Sequence, residues 1–310
     1  MTSILVTGAT GRVGRHLVKI LSLYDTEFCI SLRSTDSSFP SFRQKVKTFR
    51  NQGLFNFVDM DYNNLESISH YELEGIEKIF LVSPNFNVLD ATKKIVTEAQ
   101  KTQSVKHIVK LSVMGINLSP STYGGMIHRK AEKIIKDSGF HYTFLRPNYF
   151  MQNFLNSPFR NTPNEKIFHL PLKNARASFV DLRDVAEVAA VILHEKSNKH
   201  YNMIYDITGG QRLNCSDIAE ILQTKLDEPF KYVNISEQEA KTELIKTGLQ
   251  LKSIEYLLDF YRVVREGRMR RISKVVQTIL GRMPISFEIF VRDYIESFRD
   301  GIELKASVNN

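Results

Sequence analysis

The chain has 310 residues, of which 42% are hydrophobic and 25% charged, and carries a formal net charge of +8. This is ordinary globular composition, which excludes disorder and collagen-like fibre, and the length suits one large domain or two modest ones. No apolar run approaches the roughly 18 residues of a membrane span, and Met1-Thr2-Ser3 leads straight into a short apolar strand, so the expected address is the cytoplasm, with no membrane partner.

The first 150 residues alternate short β-branched runs with amphipathic stretches, the form of a parallel sheet wrapped by helices. Strands are predicted at 3–7, 27–32, 54–58, 77–82, 105–111 and 141–145, with helices near 12–24, 39–51, 64–72, 87–103 and 122–138 between them. The fold class is therefore α/β, with a doubly wound parallel sheet over residues 1–150. After Arg146-Pro147 the alternation stops. Residues 177–180 and 205–208 offer further strands, and from Asn214 onward the pattern is mostly helical. Residues 151–310 are thus expected to form a smaller C-terminal region, partly interleaved with the core and lying against the carboxyl ends of its strands.

Cys29 and Cys215 are the only cysteines and have no paired spacing, so they are expected to be packing residues, with no disulfide and no metal site. Much of the positive charge sits between Arg262 and Arg282, where seven cations face the single anion Glu266. Met269, Ile272, Val275, Val276, Ile279 and Leu280 recur there at three- and four-residue spacing, which predicts a helix with one buried and one basic, solvated face. A nucleic-acid or membrane surface is the alternative, and the expectation is that no nucleic acid binds.

The most informative segment is Ile4-Leu5-Val6-Thr7-Gly8-Ala9-Thr10-Gly11-Arg12-Val13-Gly14, a strand, a glycine turn and the start of a helix. Gly8 permits a tight turn, Gly11 lets the backbone approach a pyrophosphate, and Gly14 lets the helix pack closely on the strand, while the helix start offers free N–H groups to phosphates. Dinucleotide binding follows, with residues 7 to 14 as the cradle. At the end of the second strand, where an acidic side chain selects NAD by bonding the ribose 2′-OH, the chain instead reads Arg33-Ser34. A guanidinium there suits a 2′-phosphate, so NADP(H) is expected to be preferred over NAD(H), with Arg12 as a second contact. No Walker, H-E-x-x-H or G-x-S-x-G pattern occurs, which leaves ATPase, zincin and α/β-hydrolase chemistries without support.

The G-x-x-G-x-x-G spacing resembles the extended and atypical branches of the short-chain dehydrogenase/reductase superfamily. Further blocks narrow the resemblance: Phe80-Leu81-Val82-Ser83-Pro84, Leu145-Arg146-Pro147-Asn148-Tyr149-Phe150-Met151-Gln152-Asn153, Phe179-Val180-Asp181-Leu182-Arg183-Asp184, Ile207-Thr208-Gly209-Gly210 and Gly281-Arg282-Met283-Pro284 are similar to the NmrA-like group, in family order along nearly the whole chain. The resemblance implies a Rossmann core and, as activity, hydride transfer from NADPH to a small, largely apolar acceptor such as a quinone, imine or activated alkene. The alternative it implies is a non-catalytic NADP(H) sensor signalling through a protein partner. It places Asp61 beside the adenine, Ser83 and Ser112 along the ribose and nicotinamide, and Asn148, Tyr149, Phe150, Met151 and Asn153 in the substrate cleft, with packed core under the C-terminal helices as the other reading of those last five. Monomer and homodimer are both compatible.

Reductases of that superfamily typically use Tyr-x-x-x-Lys, and none of the twelve tyrosines here has a lysine four residues on. Aligning on Glu132 and Leu145-Arg146-Pro147 puts His128 at the lysine position and Gly124 at the tyrosine position. His128 is therefore the expected partner of the nicotinamide ribose or proton donor. Tyr123, one residue from the tyrosine position and rotated by about 100°, is the lesser candidate.

Overall fold

The computed structural model describes residues 3–24, 26–32, 56–84, 87–155 and 166–299. Its centre is a seven-stranded, all-parallel sheet in the order β3-β2-β1-β4-β5-β6-β8, built from β1 (Ser3–Val6), β2 (Phe28–Leu32), β3 (Asn56–Asp59), β4 (Ile76–Leu81), β5 (His107–Leu111), β6 (His141–Pro147) and β8 (Met203–Ile207). Such a sheet is covered on both faces, which is why β2 reads Phe28-Cys29-Ile30-Ser31-Leu32 without polar alternation and is buried throughout. On one face, Ile4, Val6, Phe80, Val109 and Leu145 pack against α1 (Arg12–Leu21) and α4 (Leu182–His194). Ala186, Ala189 and Ala190 are fully buried in α4, which packs closely against α1. On the other face Leu5, Ile79, Leu81, Ile108 and Phe144 meet Ile95 and Ile135, from α2 (Val88–Lys101) and α3 (Tyr123–Asp137).

β1 lies between β2 and β4, so the chain reverses its winding at the β1/β4 junction, and the crevice at the carboxyl ends of these strands is where such sheets bind ligands. Over it lies the C-terminal region, with its own aromatic core around Phe154, Phe168, Tyr261, Phe287 and Phe290. It comprises α5 (Cys215–Leu226), α6 (Glu237–Lys246), α7 (Leu251–Arg265), α9 (Phe287–Asp293) and α10 (Ile295–Arg299), together with a small parallel pair, β7 (Ile167–Leu170) and β9 (Lys231–Asn234), while α8 (Val275–Leu280) packs on α4 and β8 in the sheet layer. Both cysteines are buried and unpaired, and burial pushes their thiols up, so they are inert packing groups. No helix among the described residues is long and apolar enough to cross a membrane.

Several local expectations change. The helix predicted at 64–72 is two single turns, Leu65–Ser67 and His70–Leu73, because Ser69 and Glu72 form a capping box that restarts the chain after only one turn. Residues 177–180 form two isolated bridges, Ala177 to Leu213 and Val180 to Phe150, rather than a strand. The expected strand at 205–208 is β8, the sheet's seventh strand. The helix expected at 39–51 lies outside the described residues.

The basic stretch is also not one helix. α7 stops at Arg265, the chain turns at Gly267 (φ +72°), and helix resumes only at Val275. Apolar residues at helical spacing on either side of a turn imitate a continuous face. Its arginines are also not a free basic surface: Arg262 pairs with Asp259 and Glu266, Arg265 with Glu237, Arg268 with Glu266, Arg271 with Asp206, and Arg282 with Asp184 and Glu187.

Candidate functional site

The glycine turn has the geometry its sequence demands. Gly8 adopts φ +63°, and its carbonyl accepts from Gly11 N–H at 2.9 Å. A Cβ on Gly14 would stand 2.1 Å from that same carbonyl oxygen, so no larger residue fits where α1 crosses the turn. Gly11 caps α1 in an extended conformation with no side-chain cap, and no acidic side chain lies in the first turn. The first N–H groups of a ten-residue helix are thus left to a ligand, at the end of its dipole that favours anions. Thr7 is fully buried, and its hydroxyl bridges Phe80 and Val82, holding β1 to β4 beneath the turn. Ala9 and Val13 are core residues behind the turn, and Thr10 is partly exposed on it.

Further groups fit a dinucleotide. Just beyond β4, the Ser83 hydroxyl is buried without a partner among the described residues, as is one guanidinium nitrogen of Arg12. The other, Nη1, donates to Asn153 Oδ1 at 2.8 Å, so Arg12 reaches from the glycine turn to the opposite wall of the crevice, towards Tyr149 and Asn153. Asp61 accepts from Asn63 N–H at 2.9 Å in the turn after β3. Arg33 and Ser34 lie outside the described residues.

At the carboxyl end of β5 a buried polar cluster underlies the crevice. Glu132 of α3, 2% exposed, accepts from Arg146 Nε at 2.9 Å and from the Ser112 hydroxyl at 2.7 Å. Lys110, 0% exposed, belongs to the same cluster, with its ammonium unpartnered among the described residues. Burial pushes that amine down to about 8, against the pull of Glu132. His128 is 8% exposed, and its Nδ1 is likewise buried without a partner. Burial first, and Lys110 second, lower it to about 3, so the ring is neutral and offers one N–H and one lone pair. Tyr123 stands at the first position of α3, where its backbone N–H donates to Asp259 Oδ2 of α7 at 2.7 Å.

The five residues expected on the substrate side divide. Tyr149 stacks on Phe260 of α7 with centroids 4.1 Å apart, and its hydroxyl meets Tyr261 and Asn153. Together with Arg12 and Asn153 it forms a mixed aromatic and polar wall. Asn148 is a strut: its amide donates to Ser178 Oγ and the Met269 carbonyl, both at 2.9 Å, and its Oδ1 accepts from Tyr149 N–H. Met151 is buried in the C-terminal core, and Phe150 packs against the sheet's first face, so both act as core residues.

The sequence pattern did not single out Lys110, nor Tyr256 of α7, whose ring lies over Gly124 of α3. A signal for Lys110 was present, a lysine inside the apolar strand His107-Ile108-Val109-Lys110-Leu111. None marked Tyr256, one of several aromatic residues on α7.

The model of the NmrA-like family matches residues 1–280. The chain belongs to this family. Among its relatives, the prestalk A differentiation protein A of Dictyostelium discoideum is 26% identical over 292 residues, spanning 94% of this chain and 92% of that one. The NAD(P)H azoreductase of Xenophilus azovorans is 25% identical, spanning 95% and 99%. Among solved structures, the NADPH complex of the Escherichia coli quinone oxidoreductase QOR2 superposes with a TM-score of 0.80 at 22% identity, covering 94% of this chain and 99% of that one, a likeness of fold.

Proposed function

We propose that this NmrA-like protein is an NADPH-dependent reductase of a small, largely apolar acceptor such as a quinone, an imine or an activated alkene. Its relatives include proteins named NAD(P)H azoreductase, agroclavine dehydrogenase and quinone oxidoreductase 2, and the chain is an oxidoreductase. The observation that carries the finer reading is the crevice itself: a glycine cradle with free helix N–H groups on one side, and Tyr149, Phe260 and Asn153 facing Arg12 on the other.

The residues present fit the cofactor. Residues 8 to 14 would hold the pyrophosphate, Ser83 and the Ser112 strand end would line the ribose and nicotinamide, and Arg33 would select the 2′-phosphate. NADPH, when bound, supplies a hydride. The chain's own contribution is positional and electrostatic. The Tyr149 and Phe260 rings exclude water from a flat acceptor. Neutral His128 presents a single N–H at the helix face, and Lys110 keeps a positive charge beneath it at neutral pH, favouring negative charge that develops above.

Mass spectrometry of the purified protein for retained cofactor, followed by NADPH oxidation against quinones, imines and activated alkenes, tests this reading. Turnover of at least one class is expected. NADPH binding without turnover of any acceptor would overturn it in favour of the sensor, which no feature of the geometry supports over catalysis.

A further inference from the structure

Gly124, which the resemblance above aligns with the tyrosine of Tyr-x-x-x-Lys, is buried on α3. A Cβ built there would lie 2.0 Å from Cε2, 2.6 Å from Cδ2 and 3.0 Å from Cζ of Tyr256. The phenol ring of Tyr256, from α7, thus occupies the space into which a side chain at 124 would project. His128 follows Gly124 by four residues, so it lies one turn further along the same face of α3. α7 is fixed in this position by the hydrogen bond from Tyr123 N–H to Asp259 Oδ2, one turn from Tyr256, and by Phe260 stacked on Tyr149. Tyr256 also lies near enough to Tyr149 to act on it electrostatically, which places it at the substrate wall. Burial is the one influence found on its hydroxyl among the described residues, whereas the Tyr149 hydroxyl already meets Tyr261 and Asn153.

The geometry points to Tyr256 as the catalytic phenol of this reductase, supplied from α7 across the bare surface of Gly124, donating a hydrogen bond and then its proton to the acceptor. The inference rests on the reductase reading above and names the residue that reading lacks. In the balanced step, the acceptor gains two electrons and one hydrogen with the hydride from NADPH. The Tyr256 O–H bond breaks as an O–H or N–H bond forms on the acceptor, and water in the crevice returns a proton to the tyrosinate. Burial raises the hydroxyl's pKa, so the phenol is protonated at neutral pH, and its proton leaves only as the acceptor takes up the hydride and becomes the stronger base. Gly124 is required because any side chain there would displace the ring.

The test uses the full chain with duroquinone and an imine as acceptors, comparing Tyr256→Phe, Tyr256→Ala, Gly124→Ala and the Tyr256→Ala/Gly124→Ala double variant. Tyr256→Phe keeps the packing and removes the hydroxyl, so kcat is expected to fall about a hundredfold with the imine and less with the quinone, whose reduced form water can protonate. NADPH affinity should not change. Calorimetry of duroquinone binding to NADP⁺-loaded protein gives a readout apart from turnover, and Tyr256→Phe should weaken it about tenfold, the worth of one hydrogen bond near 1.4 kcal/mol. Gly124→Ala should lose as much activity as Tyr256→Phe, and should cost nothing further in the Tyr256→Ala background, because the clash is with that ring alone. Full activity and unchanged duroquinone binding in Tyr256→Phe, with loss only in Tyr256→Ala, would show a packing role and overturn the inference while leaving the reductase reading intact. A wild type that binds NADPH but reduces nothing overturns both.

Discussion

His128 and Tyr123 stand five residues apart on α3, yet their surroundings assign them different work. Tyr123 is tied to α7 through its backbone N–H, a bond that its ring does not influence, so Tyr123→Phe should retain most activity. His128 is neutral and faces inward, and His128→Ala should reduce turnover while circular dichroism shows an intact fold. A loss beyond about a hundredfold at Tyr123 would instead mark it as an acid. Lys110 yields a stability prediction. Its amine is lowered from 10.5 to about 8, so below pH 8 the folded chain bears the whole cost of a buried charge, and that cost fades as pH rises from 8 to 10.5. Lys110→Met should therefore stabilise the protein by about 3 kcal/mol at pH 7, with the gain shrinking above pH 8, as denaturant unfolding across that range would reveal. For Arg33, a charge-assisted contact with the 2′-phosphate is worth roughly 1.5 to 3 kcal/mol, one to two decades of affinity. Wild type should bind NADP(H) at least about tenfold more tightly than NAD(H), and Arg33→Ala should lose most of that margin on titration.

At the scale of elements, what was legible in the sequence was what periodicity and glycine chemistry encode. The βα alternation and the cradle from Gly8 to Gly14 appear where they were expected, because each depends on residues close in the chain. Strand β8 and helix α4 join the sheet from beyond residue 150, where the alternation had stopped, so the core extends further along the chain than its sequence pattern. Of the candidate site, Ser112, His128 and Asn153 could be proposed from the sequence, but not that Arg12 reaches Asn153, nor that Tyr256 covers Gly124, since both contacts join distant segments. The basic stretch misled for a related reason, its partners being carboxylates elsewhere. Arg282 faces fully buried Asp184, whose pKa burial raises, with Arg282 opposing it. Arg282→Ala should cost about 3 kcal/mol, the low end for breaking a buried pair, because the arginine is one-third exposed. Arg270 and Lys274 have no ionic partner among the described residues, and Arg270→Ala should fall within about 0.5 kcal/mol of wild type. Neutralising Arg268, Arg270 and Arg271 together should leave cofactor affinity nearly unchanged. DNA binding that weakens steeply with salt would contradict this assignment of the stretch to structure.

For the molecule as a whole, burial lowers His16, His107, His128 and His200, and His107 and His128 are displaced furthest. His107, at the opposite end of β5 from the crevice, bonds Thr143 Oγ1 through Nε2 at 2.8 Å. Burial, with Lys78, His141 and His200 nearby, lowers it to about 3, as burial and Lys110 lower His128. The unfolded chain takes up protons at these rings from about pH 6.5 and the folded chain does not until about 3, so stability should decline as pH falls through that window. Each ring contributes up to about 1.4 kcal/mol per pH unit, and His107→Gln, which can still bond Thr143, should remove about half of the slope due to His107 and His128 together. The same crevice that keeps His128 neutral is the one that should carry out reduction. A single-turnover experiment tests this most directly: protein loaded with one equivalent of NADPH is mixed without oxygen with excess quinone, and absorbance at the nicotinamide band is followed. Complete loss of the reduced cofactor signal is expected, stoichiometric with protein and slowed in Tyr256→Phe; bound NADPH that stays reduced in the presence of quinone, imine and activated alkene alike would contradict a reductase role.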